Sequence, residues 1–418
     1  MIELIRKKTN KTDFVWETVM SENFRPLLFA GDINVYSVAR AFHEAYGIKV
    51  RAYGKYPVFP CMGSRILDYR ANKEADKQET FFRLVKEYAE ENTDSKILLI
   101  GCGDSYVELI SKNIGKYPAN VVAPYINIDL MSELIHKERF YNMCEKYGID
   151  YPDTFVYKRS MGTDFELPFA PPYIIKPSSG IEYWANPFTT QKKVYKVNTR
   201  KDLEKVLDDV YGAGYKDSMI IQNFIPGDDS YMRVLTSYSD RNNKVVVMCL
   251  GHVLLEEHTP HGIGNHAVII TEENKELCEK MKGFLDGIGY TGWSNFDIKF
   301  DERDGKFKVF EINTRQGRSN YYVTGSGANV AKCFVEDRIL EHDQEFTVFD
   351  KPHLWRMIPK GVMYKYVNPL YKKQLRLLVK EGKDCHSLIY DKDGGLKRKL
   401  RQFKGQMGHY YKFKKYMK

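Results

Sequence analysis

Asn295-Phe-Asp297-Ile-Lys299-Phe, followed one short turn later by Lys308-Val-Phe310-Glu311-Ile-Asn313-Thr-Arg315, is the stretch on which the reading of this chain turns. Both runs alternate as β-strands do, and Asp301-Glu-Arg-Asp-Gly305 between them has the composition of a turn. Alternation puts Glu311 and Asn313 on one sheet face, and a hairpin brings Asp297 beside them. Two carboxylates and an amide oxygen are hard donors. They suit Mg²⁺, which proteins hold through one or two carboxylates plus nucleotide phosphates at about 2.1 Å, with Mn²⁺ as an alternative. Arg315 follows closely enough to reach the same phosphates. The competing reading is an edge hairpin with a charged solvent face.

Composition describes a globular chain. Its 418 residues allow two to four domains, and 43% hydrophobic against 28% charged residues leaves no signature of disorder. No apolar run approaches the ~18 residues that span a bilayer, and Met1-Ile-Glu-Leu-Ile-Arg-Lys-Lys lacks the apolar core of a signal peptide. Seven scattered cysteines without a CxxC pair indicate neither a disulfide framework nor a zinc site. A cytoplasmic protein with reduced thiols is expected. The net charge of +9 is uneven: residues 352–418 carry 18 Lys and Arg against 4 Asp and Glu, a balance of +14, which leaves −5 for the rest. Such a tail favours polyanions or an anionic membrane surface; the plainer alternative is a solvated helical face.

Upstream of the hairpin, short apolar strands alternate with helices. Residues 26–31, 47–52, 96–101 and 119–123 read as strands, and 35–46, 79–91 and 106–113 as helices, so residues 1–130 form a parallel α/β unit. Gly101-Cys-Gly103 lacks the third glycine of a dinucleotide loop, which disfavours a nicotinamide site. One amphipathic helix is expected over 131–147. Strands at 173–176, 193–197, 218–222, 230–238, 244–250 and 266–270, with helices at 199–211 and 273–287, make residues 131–350 an α+β region. Residues 351–418 form a basic, aromatic C-terminal extension.

Three further stretches carry chemistry. Tyr173-Ile-Ile-Lys176-Pro177-Ser178-Ser-Gly180 ends an apolar strand in a lysine that needs an anion, and its small-residue loop offers backbone N–H groups to phosphate oxygens. The plain reading is a strand end whose lysine reaches solvent. Gln222-Asn223-Phe224-Ile225-Pro226-Gly227 runs from a strand into a turn. Such an edge can hold an adenine ring, with Asp229 on the ribose hydroxyls, although Pro-Gly is most often only a turn. Glu256-Glu-His258-Thr-Pro-His261-Gly-Ile-Gly-Asn265-His266 holds three histidines without a cysteine or regular ligand spacing. A loop over a second substrate, including His266, is therefore preferred to a zinc site. Arg233 is expected to face the same cleft, and Ser319 joins the substrate-binding candidates.

In order and spacing these stretches resemble the ATP-grasp superfamily of carboxylate–amine ligases over about residues 20 to 345. The resemblance implies an α/β and α+β architecture: an ATP-grasp fold preceded by a Rossmann-like pre-ATP-grasp domain. On it, Lys137 and Lys176 match the phosphate-binding lysines. Gln222, Asn223, Phe224 and Ile225 match the adenine hinge, where Glu is commoner than Gln, and Asp229 matches the ribose acid. Asp297, Glu311 and Asn313 match the magnesium ligands, and Arg315 the arginine of Glu-x-Asn-x-Arg. Lys176-Pro-Ser-Ser-Gly-Ile-Glu182-Tyr-Trp184 lacks the glycine-rich cover loop of D-alanine–D-alanine ligases, and Asn295 stands where those enzymes tend to carry Arg. The stretch looks more like the D-aspartate ligases that build peptidoglycan cross-bridges.

The chemistry so implied runs through ATP and Mg²⁺. A substrate carboxylate attacks the γ-phosphorus, and an amine then attacks the acyl phosphate to give an amide. Arg315 contacts the transferring phosphoryl group, and Arg318 takes the substrate carboxylate by bidentate pairing. The expected partners are D-aspartate or a similar amino acid and an amine-bearing acceptor, nucleotide- or lipid-linked. No specific nucleic acid is expected. Two alternatives stay open: an ATP-grasp ligase for another peptide, capsule or natural-product amide, and a non-catalytic polyanion-binding protein acting through the tail.

Overall fold

The computed structural model of the chain describes residues 23–259 and 262–417. The opening residues 1–8 and His261, read above, lie outside them.

The first sheet is all parallel, in the order β3-β2-β1-β4-β5, from β1 (Phe24–Phe29), β2 (Val50–Gly54), β3 (Leu67–Ala71), β4 (Lys96–Gly101) and β5 (Val121–Val122). Its central strands are apolar runs, because α1 (Ile33–Tyr46), α2 (Gln78–Glu90) and α3 (Asp104–Lys112) cover the faces. Asp32 caps α1 by accepting from Asn34 N and Val35 N, and Gly47 closes it at φ 67°. The charged composition of β3 carries no strand signal; it is a half-exposed edge. Gly101 serves packing, since a Cβ there would meet Val107 Cγ2 at 2.7 Å. The Tyr125 hydroxyl also engages both its backbone groups, at 2.8 and 3.2 Å.

Where one helix was expected over 131–147 there are two, α4 (Ile128–Ile135) and α5 (Lys137–Lys146). They break at His136, whose Nε2 lies 3.0 Å from Asp217 Oδ2. The break makes Lys137 the first residue of α5, with its N–H on Ser178 O at 3.3 Å. Next comes a four-stranded antiparallel sheet, order β6-β9-β7-β8, from β6 (Thr154–Tyr157), β7 (Tyr173–Pro177), β8 (Tyr195–Val197) and β9 (Met219–Asn223). With α6 (Gly180–Ala185) and α7 (Arg200–Gly212) it encloses its own core around Ile175, Leu203, Leu207 and Ile221.

The largest sheet contains β10 (Met232–Ser239), β11 (Val245–Glu257), β12 (Asn265–Glu272), β13 (Gly292–Asp301), β14 (Lys306–Asn313), β15 (Thr347–Val348), β16 (Leu354–Arg356) and β17 (Asp384–His386). Its order is β14-β13-β10-β11-β12-β16-β17, with β15 beside β11. Helices α8 (Lys275–Gly287), α9 (Tyr321–Gly325) and α10 (Val330–Arg338) accompany it. β11 runs well past the expected end at 250, with register shifts beyond Val253. The tail is not merely appended: β16 and β17 continue the sheet. Helices α11 (Lys360–Tyr366), α12 (Lys372–Lys380) and α13 (Leu396–Tyr416) close over a core that includes Val362, Met363, Leu375 and Phe413. Among the described residues no helix is long and apolar enough to cross a membrane.

Candidate active site

β13 and β14 form the expected hairpin, with Asp297 paired to Glu311, Asn295 paired to Asn313, and Gly305 turning the chain at φ 72°. The register shifts between Asp297 and Ile298, which pairs with Val309, so Phe310 is an extra, bulged residue. A bulge breaks strict alternation and lets neighbours Phe310 and Glu311 line the same cleft.

That cleft is a cavity of about 460 Å³ between the four-stranded sheet and the hairpin. One wall supplies Lys176, Gln222, Asn223, Phe224 and Ile225; the other supplies Asp297, Lys299, Glu311 and Glu256. Lys137, Lys193 and His266 complete it. A smaller polar cavity of about 120 Å³ shares Asp297, Glu311, Lys193 and His266, and adds Asn313, Arg315, Arg318 and Ser319. Eleven of the residues singled out in the sequence therefore converge with the carboxylate pair.

Its electrostatics are unbalanced in two opposite senses. Lys137 Nζ and Lys193 Nζ lie 3.8 and 3.9 Å from the two Glu311 oxygens. Burial alone would raise Glu311, but the charges of Lys137, Lys193 and Lys176 outweigh it and hold this carboxyl below its ordinary range. Asp297 is driven up, first by burial and then by the Glu311 charge. Lys176, 4.6 Å from the centre of the Phe310 ring, is lowered to about 8 by burial, Glu311 opposing and Lys137 and Lys193 reinforcing the shift. The carboxylate pair thus calls for a cation and the lysines for an anion; a divalent ion on phosphate oxygens answers both. No three His, Cys, Asp or Glu converge on a metal position among the described residues. The two carboxylates and the Asn313 amide oxygen are hard donors whose chemistry fits Mg²⁺ with phosphate oxygens beside it.

Arg315 is held by Asp104 at the start of α3, Nε to Oδ1 at 2.7 Å and Nη2 to Oδ2 at 3.2 Å. This contact ties the parallel sheet's helix layer to the site. Arg318 Nη1 is buried with no hydrogen-bond partner among the described residues. His266 lies with Nδ1 3.5 Å from Ser319 Oγ and is lowered to about 4, by burial first and then by the Arg318 charge, so it is neutral.

Three expected contacts lie elsewhere. Ser178 is buried, its N–H donates to Ser218 O and its Oγ pairs with Ser218 Oγ at 2.8 Å, which leaves nothing for a phosphate. Asp229 is taken up by Glu256 N at 2.8 Å and by His258 Nε2 at 2.9 Å, behind the cavity wall. Arg233 follows Met232, which lines the cavity, and so points to the opposite face, where it pairs with Glu272 at 2.5 Å. Among the described residues, His258 and His266 turn to different partners.

Three residues escaped the sequence reading. Lys299 donates to Ile225 O (2.9 Å) and Gly227 O (3.1 Å), pinning the hinge. It was legible, being two residues from Asp297 and therefore on its face. Glu256 is pushed up to about 7 by burial and then by Asp229. It went unseen because the end of β11 was placed too early. Lys193 precedes a short strand and carries no pattern.

A nucleotide-sized cleft between a four-stranded antiparallel sheet and the antiparallel hairpin at the edge of the largest sheet, with Glu-x-Asn-x-Arg leaving that hairpin, is the ATP-grasp arrangement, and the chain is an ATP-dependent, ADP-forming carboxylate–amine ligase of that class. Solved structures share the fold. N5-carboxyaminoimidazole ribonucleotide synthetase in its ADP complex matches with a TM-score of 0.60 at 12% identity, over 95% of this chain and 98% of that one. The MgADP-bound biotin carboxylase domain of 2-oxoglutarate carboxylase from Hydrogenobacter thermophilus gives 0.58 at 12% identity, over 79% and 73%. L-amino acid ligase from Bacillus licheniformis gives 0.51 at 15% identity, over 75% and 70%. No family model matches the chain. In sequence, the D-aspartate ligase of Enterococcus faecium (strain Aus0004) is 40% identical over 415 residues, 96% of this chain and 98% of that protein. The chain belongs to the D-aspartate ligase family.

Proposed function

We propose that the chain activates D-aspartate with ATP and joins it to an amine of a peptidoglycan precursor in the cytoplasm. The observation that carries this reading is the buried Nη1 of Arg318, without a partner among the described residues, in a small polar cavity that shares Asp297 and Glu311 with the larger cleft. A substrate with two carboxylates suits that arrangement: one pairs with Arg318 and the other is directed toward the shared wall. The 40% identical relative, named for D-aspartate, supports the same substrate.

Lys137, Lys176 and Lys193 bind and neutralise phosphate oxygens, and Gln222, Asn223, Phe224 and Ile225 receive the adenine. Asp297, Glu311 and Asn313 would hold Mg²⁺, or Mn²⁺ in its place, which when bound offsets charge on the phosphates. A substrate carboxylate oxygen attacks the γ-phosphorus, the bond to the bridging oxygen breaks, and ADP leaves an acyl phosphate behind. Arg315, oriented by Asp104, steadies the transferring group. The acceptor amine then attacks the acyl carbon; phosphate departs and the amide forms. Glu256, with its carboxyl pushed up to about 7, is the cleft residue suited to take the proton that the amine releases.

Purified protein is incubated with ATP, Mg²⁺, D- or L-aspartate and a soluble muropeptide precursor, and products are read by mass spectrometry alongside ADP. The expected product is the precursor plus one aspartyl residue, formed from the D-isomer with stoichiometric ADP. ADP formed only with a different amino acid, or a product without added aspartate, would overturn the assignment.

A further inference from the structure

Helix α13 has an inner and an outer face of different character. Arg398, Gln402, Gln406 and Phe413 face inward. Arg398 donates to Met62 O (3.1 Å) and Pro60 O (2.8 Å) and pairs with Asp393 (3.1 Å). Gln402 donates to Leu388 O (2.6 Å), Gln406 to Met357 O (3.2 Å), and Phe413 is buried against Tyr366. The helix is therefore fixed on the body.

Its outer face is an apolar stripe. Leu396 (76% exposed), Leu400 (60%), Phe403 (65%), Met407 (49%) and Tyr411 (68%) recur every three or four residues. At 1.5 Å per residue the stripe is about 22 Å long. A run of large exposed apolar side chains of this length on a fixed helix marks an interaction surface. Lys397, Lys399, Arg401, Lys404, Lys412, Lys414 and Lys415 lie on the same helix, and residues 396–416 contain no Asp or Glu.

We infer that the outer face of α13 docks on an anionic lipid surface, lying in the headgroup plane with Leu400, Phe403 and Met407 inserted and the cations on lipid phosphates. Basic flanks around an apolar stripe are what the headgroup–acyl boundary of an anionic bilayer selects. A second copy of the chain is disfavoured as the occupant, because pairing two such helices would press like charges together with no carboxylate to offset them. This docking is independent of the ligase reading and is measured without turnover.

Full-length protein is sedimented with vesicles of phosphatidylglycerol mixed with phosphatidylcholine and with vesicles of phosphatidylcholine alone. Binding to the anionic vesicles is expected to be at least about ten-fold tighter and to weaken as salt is raised. The double variant L400E/F403E, at exposed positions, is expected to lose about ten-fold or more of that binding while ATP turnover with a soluble acceptor stays unchanged. The charge variant R401Q/K404Q/K412Q, which leaves the apolar stripe intact, is expected to lose the preference for anionic vesicles. Equal binding to both vesicle types, no binding to either, undiminished binding by L400E/F403E, or a concentration-dependent dimer that this variant abolishes would each overturn the inference.

Discussion

Asp297 and Glu311 are register partners across β13 and β14, and their carboxyls are displaced in opposite directions, Asp297 upward and Glu311 downward. Two buried carboxyls so close cannot both ionise unless a cation intervenes. Glu311→Ala removes the ionised member and leaves Lys137 and Lys193 without their anion. Turnover should fall about 10³-fold, the scale expected when charge stabilisation around a transferring phosphoryl group is lost. Steady-state ADP release titrated with Mg²⁺ checks it; an unchanged magnesium dependence would remove Glu311 from the metal set.

Lys176 makes nucleotide binding a proton-linked event. Its ammonium lies near 8 rather than the ordinary 10.5, so the empty site begins to lose this proton as pH rises through 8. Phosphate oxygens beside it favour the charged form and draw the proton back. ATP binding at about pH 8.5 should therefore take up a fraction of a proton, seen by calorimetry in two buffers of different ionisation enthalpy. Lys176→Met should abolish the uptake and weaken binding about ten-fold or more. A depressed lysine contributes its stability in full only above its ordinary pKa, and that contribution falls away as pH drops from 10.5 through 8. The Met variant should thus melt at neutral pH no lower than the parent.

Lys299 joins Ile225 O and Gly227 O to the floor of the cleft. Lys299→Met frees two carbonyls and loosens the segment proposed to receive the adenine. The KM for ATP should rise about ten-fold with kcat within about two-fold, because the lost contacts position the base rather than the reacting phosphate. Initial-rate kinetics distinguish this from a general loss of folded enzyme.

What could be read from the sequence was whatever repeats with a period. The hairpin alternates cleanly around a turn that ends in glycine, and the parallel unit alternates apolar strands with helices. The break at His136 was hidden because apolar spacing continues across it, although it is what brings Lys137 to the site. β16 and β17 have three residues each, too few for any period, so the tail was not seen to join the sheet. Arg233 was misplaced by a single step of parity beside Met232, and Asp229 by a neighbour: Glu256 lines the cavity wall in its place.

Asp104 offers a test of how the first sheet's layer serves the reaction. It grips Arg315 through two bonds from a separate part of the chain. Asp104→Ala should leave ATP affinity nearly intact and lower kcat about ten-fold, as expected when a group acting on the transferring phosphoryl loses its orientation. Equal losses in kcat and in ATP binding would show that Arg315 holds the ground-state nucleotide instead.

Arg318 separates recognition of the amino acid from recognition of ATP. Its Nη1 is buried with no partner among the described residues, a costly arrangement unless a substrate supplies the anion. Lysine keeps the charge but loses the planar fork that pairs with both oxygens of a carboxylate. Arg318→Lys should therefore raise the KM for aspartate about 10²-fold while the KM for ATP stays within about two-fold. The neutral state of His266 gives a second readout in the uncharged variant Arg318→Gln: with the positive charge gone the repulsion that helps hold it near 4 is relieved, and its imidazole should titrate higher in an NMR pH series. A rise in the KM for ATP with no change for aspartate would place Arg318 on the nucleotide and leave the second carboxylate without a receptor.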